Sequence, residues 1–167
     1  MRIDSDHPFF TRINIKLARI ELELQRAEMA AAAWRDHEGP IREISEIALA
    51  ACLHHAYNGI ESILEDVAKE FDGSVPSGGH QHRDLLDAMA APGQGRPELF
   101  DQAGHEVAIG LLRLRQFFNG FHGNPIAGNE LCVEFDRVNG TLIPVFTGQL
   151  SKLEPSSAEL TTRHKAG

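Results

Sequence analysis

An arginine and a histidine on one face of a helix form a pair able to work on a phosphate. The stretch Leu111-Leu112-Arg113-Leu114-Arg115-Gln116-Phe117-Phe118-Asn119-Gly120-Phe121-His122 offers such a pair in Arg115 and His122. A guanidinium grips a phosphate and the charge that develops on it, while an imidazole, with an unperturbed pKa of about 6.5, takes or gives a proton near neutrality. At about 100° per residue Arg115, Asn119 and His122 share an arc, with Gln116 beside it, so Asn119 and Gln116 are the supporting polar groups. Arg115 and His122 stand two turns apart, roughly 10 Å along a straight helix axis. A bend at Gly120 or at the Gly123-Asn124-Pro125 stop, or a second chain, would have to close that distance.

The same helix carries Val107, Leu111, Leu114, Phe117, Phe118 and Phe121 on another arc, wide enough to be a core face. Ala108 and Leu112 share the arc of Arg115 and Asn119. Apolar residues interleaved with charge predict a surface that meets a partner, so Ala108 and Leu112 are assigned to a homodimer interface.

The elements that must hold this helix are themselves helical. Ile13, Leu17, Ile20, Leu24, Ala27, Ala31 and Trp34 repeat at alternating spacings of four and three, a bundle stripe ended by His37-Glu38-Gly39-Pro40. A second helix is predicted from about Ile41 to Phe71, with Ile44, Ile47, Ala51, Ile60, Ile63, Val67 and Phe71 as its core stripe. Two turns of it are crowded with His54, His55, Tyr57, Asn58 and Glu61, and Tyr57 is the single tyrosine of the chain. Ser77 is a cap for a short third helix over about His80 to Ala90, with Leu85, Leu86 and Met89 facing inward. Ala91 to Pro97 is too rich in Gly and Pro for regular structure and reads as a mobile connector. The fourth helix starts near Glu98, and a loop follows it to about Glu134. Residues 135–153 fit either a hairpin around Asn139-Gly140 or a helix through Phe135, Val138, Leu142, Val145, Phe146, Leu150 and Leu153. Helix is chosen, because four preceding helices leave a bundle to complete and no sheet to join. The expected fold is all-α, an up-and-down bundle of four to five helices. It comprises an N-terminal arm (1–10), a helical domain (11–154) and a flexible tail (155–167).

The bulk numbers exclude several classes. A net charge of −8 argues against an extended nucleic-acid-binding surface, though a small local site remains allowed. No apolar run approaches the roughly 18 residues of a membrane span, and the N-terminus lacks the basic start of a signal peptide. Cys52 and Cys132, in apolar surroundings, read as buried thiols of a cytoplasmic protein. No metal and no cofactor is expected. His80-x-His82 with His54, His55, Cys52 or His122 matches no zinc-ligand spacing, and Gly93-Gln94-Gly95 follows no strand and lacks the Lys-Ser/Thr of a phosphate loop.

Longer blocks are more specific. His55-Ala56-Tyr57-Asn58-Gly59-Ile60-Glu61-Ser62-Ile63-Leu64, then Pro76-Ser77-Gly78 leading to His82-Arg83-Asp84-Leu85-Leu86, then Leu114-Arg115-Gln116-Phe117-Phe118 resemble, in this order, the HepT-like branch of the HEPN superfamily. The resemblance spans about Arg12 to Leu153. An Arg and a His with four to six residues between them mark HEPN ribonucleases, yet by itself this spacing carries nothing. With 12 Arg and 9 His, chance predicts about two matches, and the chain has two, Arg115 to His122 and Arg2 to His7. Members of the branch read Arg-(His or Asn)-x-Phe-x-His-x-Tyr, so the alignment puts Gly120 where the His belongs and His122 where the Tyr belongs.

The resemblance implies a helical-bundle homodimer of ribonuclease-toxin type that cuts RNA without metal, with a nucleotidyltransferase-type antitoxin as partner. It implies Arg115 as phosphate binder and His122 as acid/base. The Tyr that such a partner would modify is missing here. Because the blocks that carry the resemblance also carry Tyr57, Glu61, His82 and Arg83, we expect Tyr57 and Glu61, with His82 or Arg83, to lie beside Arg115 and line the cleft. The alternative for these residues is that they tie helices together by hydrogen bonds. The alternative for the protein is a HEPN fold without catalysis, serving as a binding or regulatory module.

Overall fold

The structure, a computed structural model, describes residues 1–119 and 127–155. Helix α1 spans Pro8–Asp36 and α2 spans Pro40–Val67, continued by a π-helical turn at Ala68–Asp72. A short α3 (Gln81–Met89) and a long α4 (Gln102–Asn119) follow. A last helical rod consists of α5 (Gly128–Arg137), a π-helical stretch (Val138–Leu142) and α6 (Ile143–Leu150) in unbroken succession. Among the described residues there is no strand, and the fold is an all-α bundle.

α1 and α2 form an antiparallel hairpin whose turn is made by Gly39 at φ 63° and by Pro40 opening α2, where its missing N–H is not needed. The hairpin packs along nearly its whole length. Midway, Gly59 lets the rods approach so closely that a Cβ there would stand 2.6 Å from Ile20 Cγ1. Lys16 Nζ reaches across to the Ser62 carbonyl and to Asp66, and Arg35 pairs with Asp136 from α1 to α5. The N-terminal arm is pinned. Asn14 exchanges two 2.8 Å hydrogen bonds with the backbone of Ile3, and Phe9 and Phe10 are buried.

Several sequence expectations shift. The core stripe of α2 runs through Leu49, Leu53, Ala56, Ile60, Ile63, Leu64 and Val67, whereas Ile44 and Ile47 are 67% and 69% exposed. Together with the exposed Ile41 they form an apolar face at the start of α2 that the described residues leave uncovered. α3 begins at Gln81 after His80 with no side-chain cap, so Ser77 does not cap it. α4 begins at Gln102, not near Glu98, and α5 begins at Gly128, not after Glu134. Of the helix and hairpin readings of 135–153, the helix holds through Leu150, Gly140 and Pro144 included.

The connector between α3 and α4 is irregular but anchored. Arg96, its side chain 2% exposed, makes a bidentate pair with Asp72 and donates to the carbonyls of Ala88, Ala91 and Pro97. Gly93 lies so close to this guanidinium that a Cβ would fall 2.7 Å from Arg96 Nε. One buried side chain therefore ties the end of α2, the end of α3 and the loop between them together. The distance between α2 and α3 at the site below depends on it.

Candidate functional site

The site is built around a carboxylate. Glu61 of α2 is only 7% exposed, and a carboxylate taken out of water at that depth needs partners. It has three, from three helices. Tyr57, one turn earlier and fully buried, donates its hydroxyl to Glu61 Oε1 at 2.9 Å. His82, in the first turn of α3, brings Nδ1 to the same oxygen at 2.7 Å. Arg115 of α4 stands with a guanidinium nitrogen 3.8 Å from Glu61 Oε2. Its guanidinium carbon also lies 5.9 Å from the centre of the Tyr57 ring, at the edge of cation–π range.

Local rules explain each position. Tyr57 and Glu61 are four residues apart, so they lie one above the other on the same face of α2. His82 is carried by an amphipathic helix whose Leu85, Leu86 and Met89 are buried, and whose far end the Arg96 clamp holds. Arg115 follows Leu114, which is buried, and keeps a side chain 20% exposed. In the cluster Tyr57 and Glu61 are thus buried, while the His82 imidazole is one third exposed and the Arg115 side chain one fifth.

Two groups are held in defined protonation states. Burial first, then the charge of Glu61 and the bond to it, push the Tyr57 phenol well above its ordinary value, so it remains a donor. Burial, then His55, then the positive charge of Arg115 push His54 down, which keeps that imidazole neutral. Asn58 Nδ2 donates to His54 Nε2 at 3.0 Å. His54 is the member of this neighbourhood that sequence reasoning left out of the site. The signal was present in its position, seven residues before Glu61 and therefore close in angle to it on α2.

The remaining expected residues divide. Arg83 is not part of the cluster, since it pairs with Asp87 at 3.4 Å on the exposed side of α3. Ala108 and Leu112 do not offer a free face. They are 1% and 3% exposed within the single chain, because α4 is packed by α2, α3 and the last rod and is buried on most sides over Val107 to Leu112. Within one chain both side chains are therefore already largely covered. Gln116 and Asn119 lie in the last turn of α4, and their side chains, like His122, are outside the described residues. Among the described residues no three His, Cys, Asp or Glu side chains gather as a metal site requires, and no helix is long and apolar enough to cross a membrane.

An all-α bundle whose second, third and fourth helices converge on a buried carboxylate, an imidazole and a guanidinium defines the class of this protein. Residues 48–124 match the family model described as HepT-like protein. The matched part, from the third turn of α2 past the end of α4, is similar to a HepT-like protein. It contains every member of the cluster. No curated protein and no solved structure gives a match.

Proposed function

We propose that this chain is an RNA-directed endoribonuclease of toxin type, acting as a dimer without metal and controlled by a nucleotidyltransferase-type antitoxin in the cytoplasm. The observation that carries the reading is Arg115. A partly exposed guanidinium, held at 3.8 Å by a carboxylate that is itself engaged elsewhere, is oriented yet still able to bind an anion. The HepT-like match over the same residues supports RNA as the source of that anion. Arg115 holds the scissile phosphate and the charge that develops on it, His122 exchanges a proton, and Gln116 and Asn119 contribute supporting polar contacts. The apolar surface available for a second copy is the exposed face of Ile41, Ile44 and Ile47, in place of Ala108 and Leu112.

The test is cleavage of single-stranded RNA by the purified protein, with its mass in solution read by light scattering. Wild type is expected to cut RNA as a dimer. Arg115→Ala is expected to lose about 10² or more in cleavage, the usual weight of a charge-stabilising group. A folded wild-type protein that binds RNA without cutting it overturns the enzyme reading in favour of a binding module.

A further inference from the structure

Cleavage of RNA by its own 2′-hydroxyl requires a group that takes a proton at the attacking oxygen. Resting on the ribonuclease reading above, we propose that this group is His82, oriented by Glu61. His82 Nδ1 is fixed on Glu61 Oε1 at 2.7 Å, which makes Nδ1 the protonated nitrogen and leaves Nε2 as the basic one. Nε2 has no protein partner among the described residues, and the ring is one third exposed. The same carboxylate holds Arg115 on its other oxygen, so base and phosphate-binding cation are set side by side by one rigid group. His54, the other imidazole that feels Arg115, is unsuited to the task because its Nε2 is engaged by Asn58. The group facing His82 is Glu61 of α2, which also holds Tyr57 and, from α4, Arg115.

In the step itself, Nε2 of neutral His82 removes the 2′-hydroxyl proton as the 2′-oxygen forms a bond to phosphorus. The bond from phosphorus to the 5′-oxygen of the next nucleotide breaks, and that oxygen takes the proton that the ribonuclease reading assigns to His122, which regains one from solvent. The His82 imidazolium then returns its proton to the solvent, leaving a 2′,3′-cyclic phosphate and a 5′-hydroxyl. Arg115 carries the charge on the phosphoryl oxygens throughout. Glu61 is a positioning residue, touching His82 and Arg115 and not the substrate.

The decisive variant is His82→Asn. Its amide nitrogen can replace Nδ1 on Glu61 and preserve the packing, while the basic Nε2 is gone. His82→Asn is expected to lower kcat by about 10² or more with little change in KM, and added imidazole is expected to restore part of the rate to His82→Ala. DNA of the same sequence, lacking the 2′-hydroxyl, is expected to remain uncut. Glu61→Gln is expected to lower kcat by more in the presence of His82 than in the His82→Asn background, where only its hold on Arg115 remains to be lost, a coupling that a merely structural role does not produce. If His82→Asn cuts RNA like wild type while Arg115→Ala does not, the assignment of His82 falls and the ribonuclease reading stands. If wild type cuts no RNA, or Arg115→Ala cuts it normally, both fall.

Discussion

Replacing Tyr57 by Phe removes one atom from the floor of the site and separates what the cluster does for stability from what it does for chemistry. The ring is fully buried and would remain in its place, so neither cavity nor strain is introduced. What is lost is the 2.9 Å bond from the phenol to Glu61 Oε1. A hydrogen bond to a charged group contributes about 1.5–3 kcal/mol. Glu61 keeps His82 on the same oxygen and Arg115 beside the other, so the carboxylate is not left without partners and the lower figure applies. For a chain of 167 residues about 1.5 kcal/mol corresponds to a fall in Tm of roughly 3–6 °C. Differential scanning calorimetry measures it, and RNA cleavage below the transition measures the other half. Since Tyr57 touches Glu61 and not the groups assigned to the substrate, cleavage is expected to fall by less than about tenfold. An unchanged Tm would refute the assigned bond. A loss of about 10² in rate, as expected of a proton-transferring group, would show that Tyr57 acts on the substrate directly.

Two further outcomes follow from buried charges. Arg96→Ala leaves the Asp72 carboxylate and the carbonyls of Ala88, Ala91 and Pro97 without their donor, at a cost of about 3 kcal/mol or more. Chemical denaturation should show the loss, and Arg96→Lys should recover only a minor part, because an ammonium cannot span those acceptors. Glu134 lies against Gly110 of α4, and burial raises its carboxyl above the ordinary value, with Arg137 pulling the other way. The folded state therefore binds this proton more tightly than the unfolded state, and stability is lost as pH rises from about 4.5 through the folded value. Glu134→Gln, which cannot ionise, is expected to raise Tm at pH 7 and to leave it nearly unchanged near pH 4. An equal effect at both pH values would refute the assignment.

Periodicity made the helices legible. Ile13, Leu17, Ile20 and Leu24 announce the buried face of α1, and Gly39-Pro40 its junction with α2, because backbone sterics and burial on one face are local properties of a sequence. The polar residues at positions 57, 61, 82 and 115 were also visible as types that a core does not ordinarily hold. Their convergence on one carboxylate was decided by tertiary packing, since a wheel drawn for α2 has no knowledge of α3 or α4. The same limit explains Ile44 and Ile47, which a hydrophobic pattern places inside although no element among the described residues lies over them. It explains Ala108 and Leu112 in the opposite sense. They look superfluous to the core of one helix pair and are buried because α4 is surrounded. Arg96 is the clearest case. Among glycines and prolines it reads as part of a mobile connector, yet Asp72, 24 residues earlier, and three carbonyls turn it into the anchor of the loop. An ion pair across such a distance in sequence forms only once the helices that carry its partners have packed.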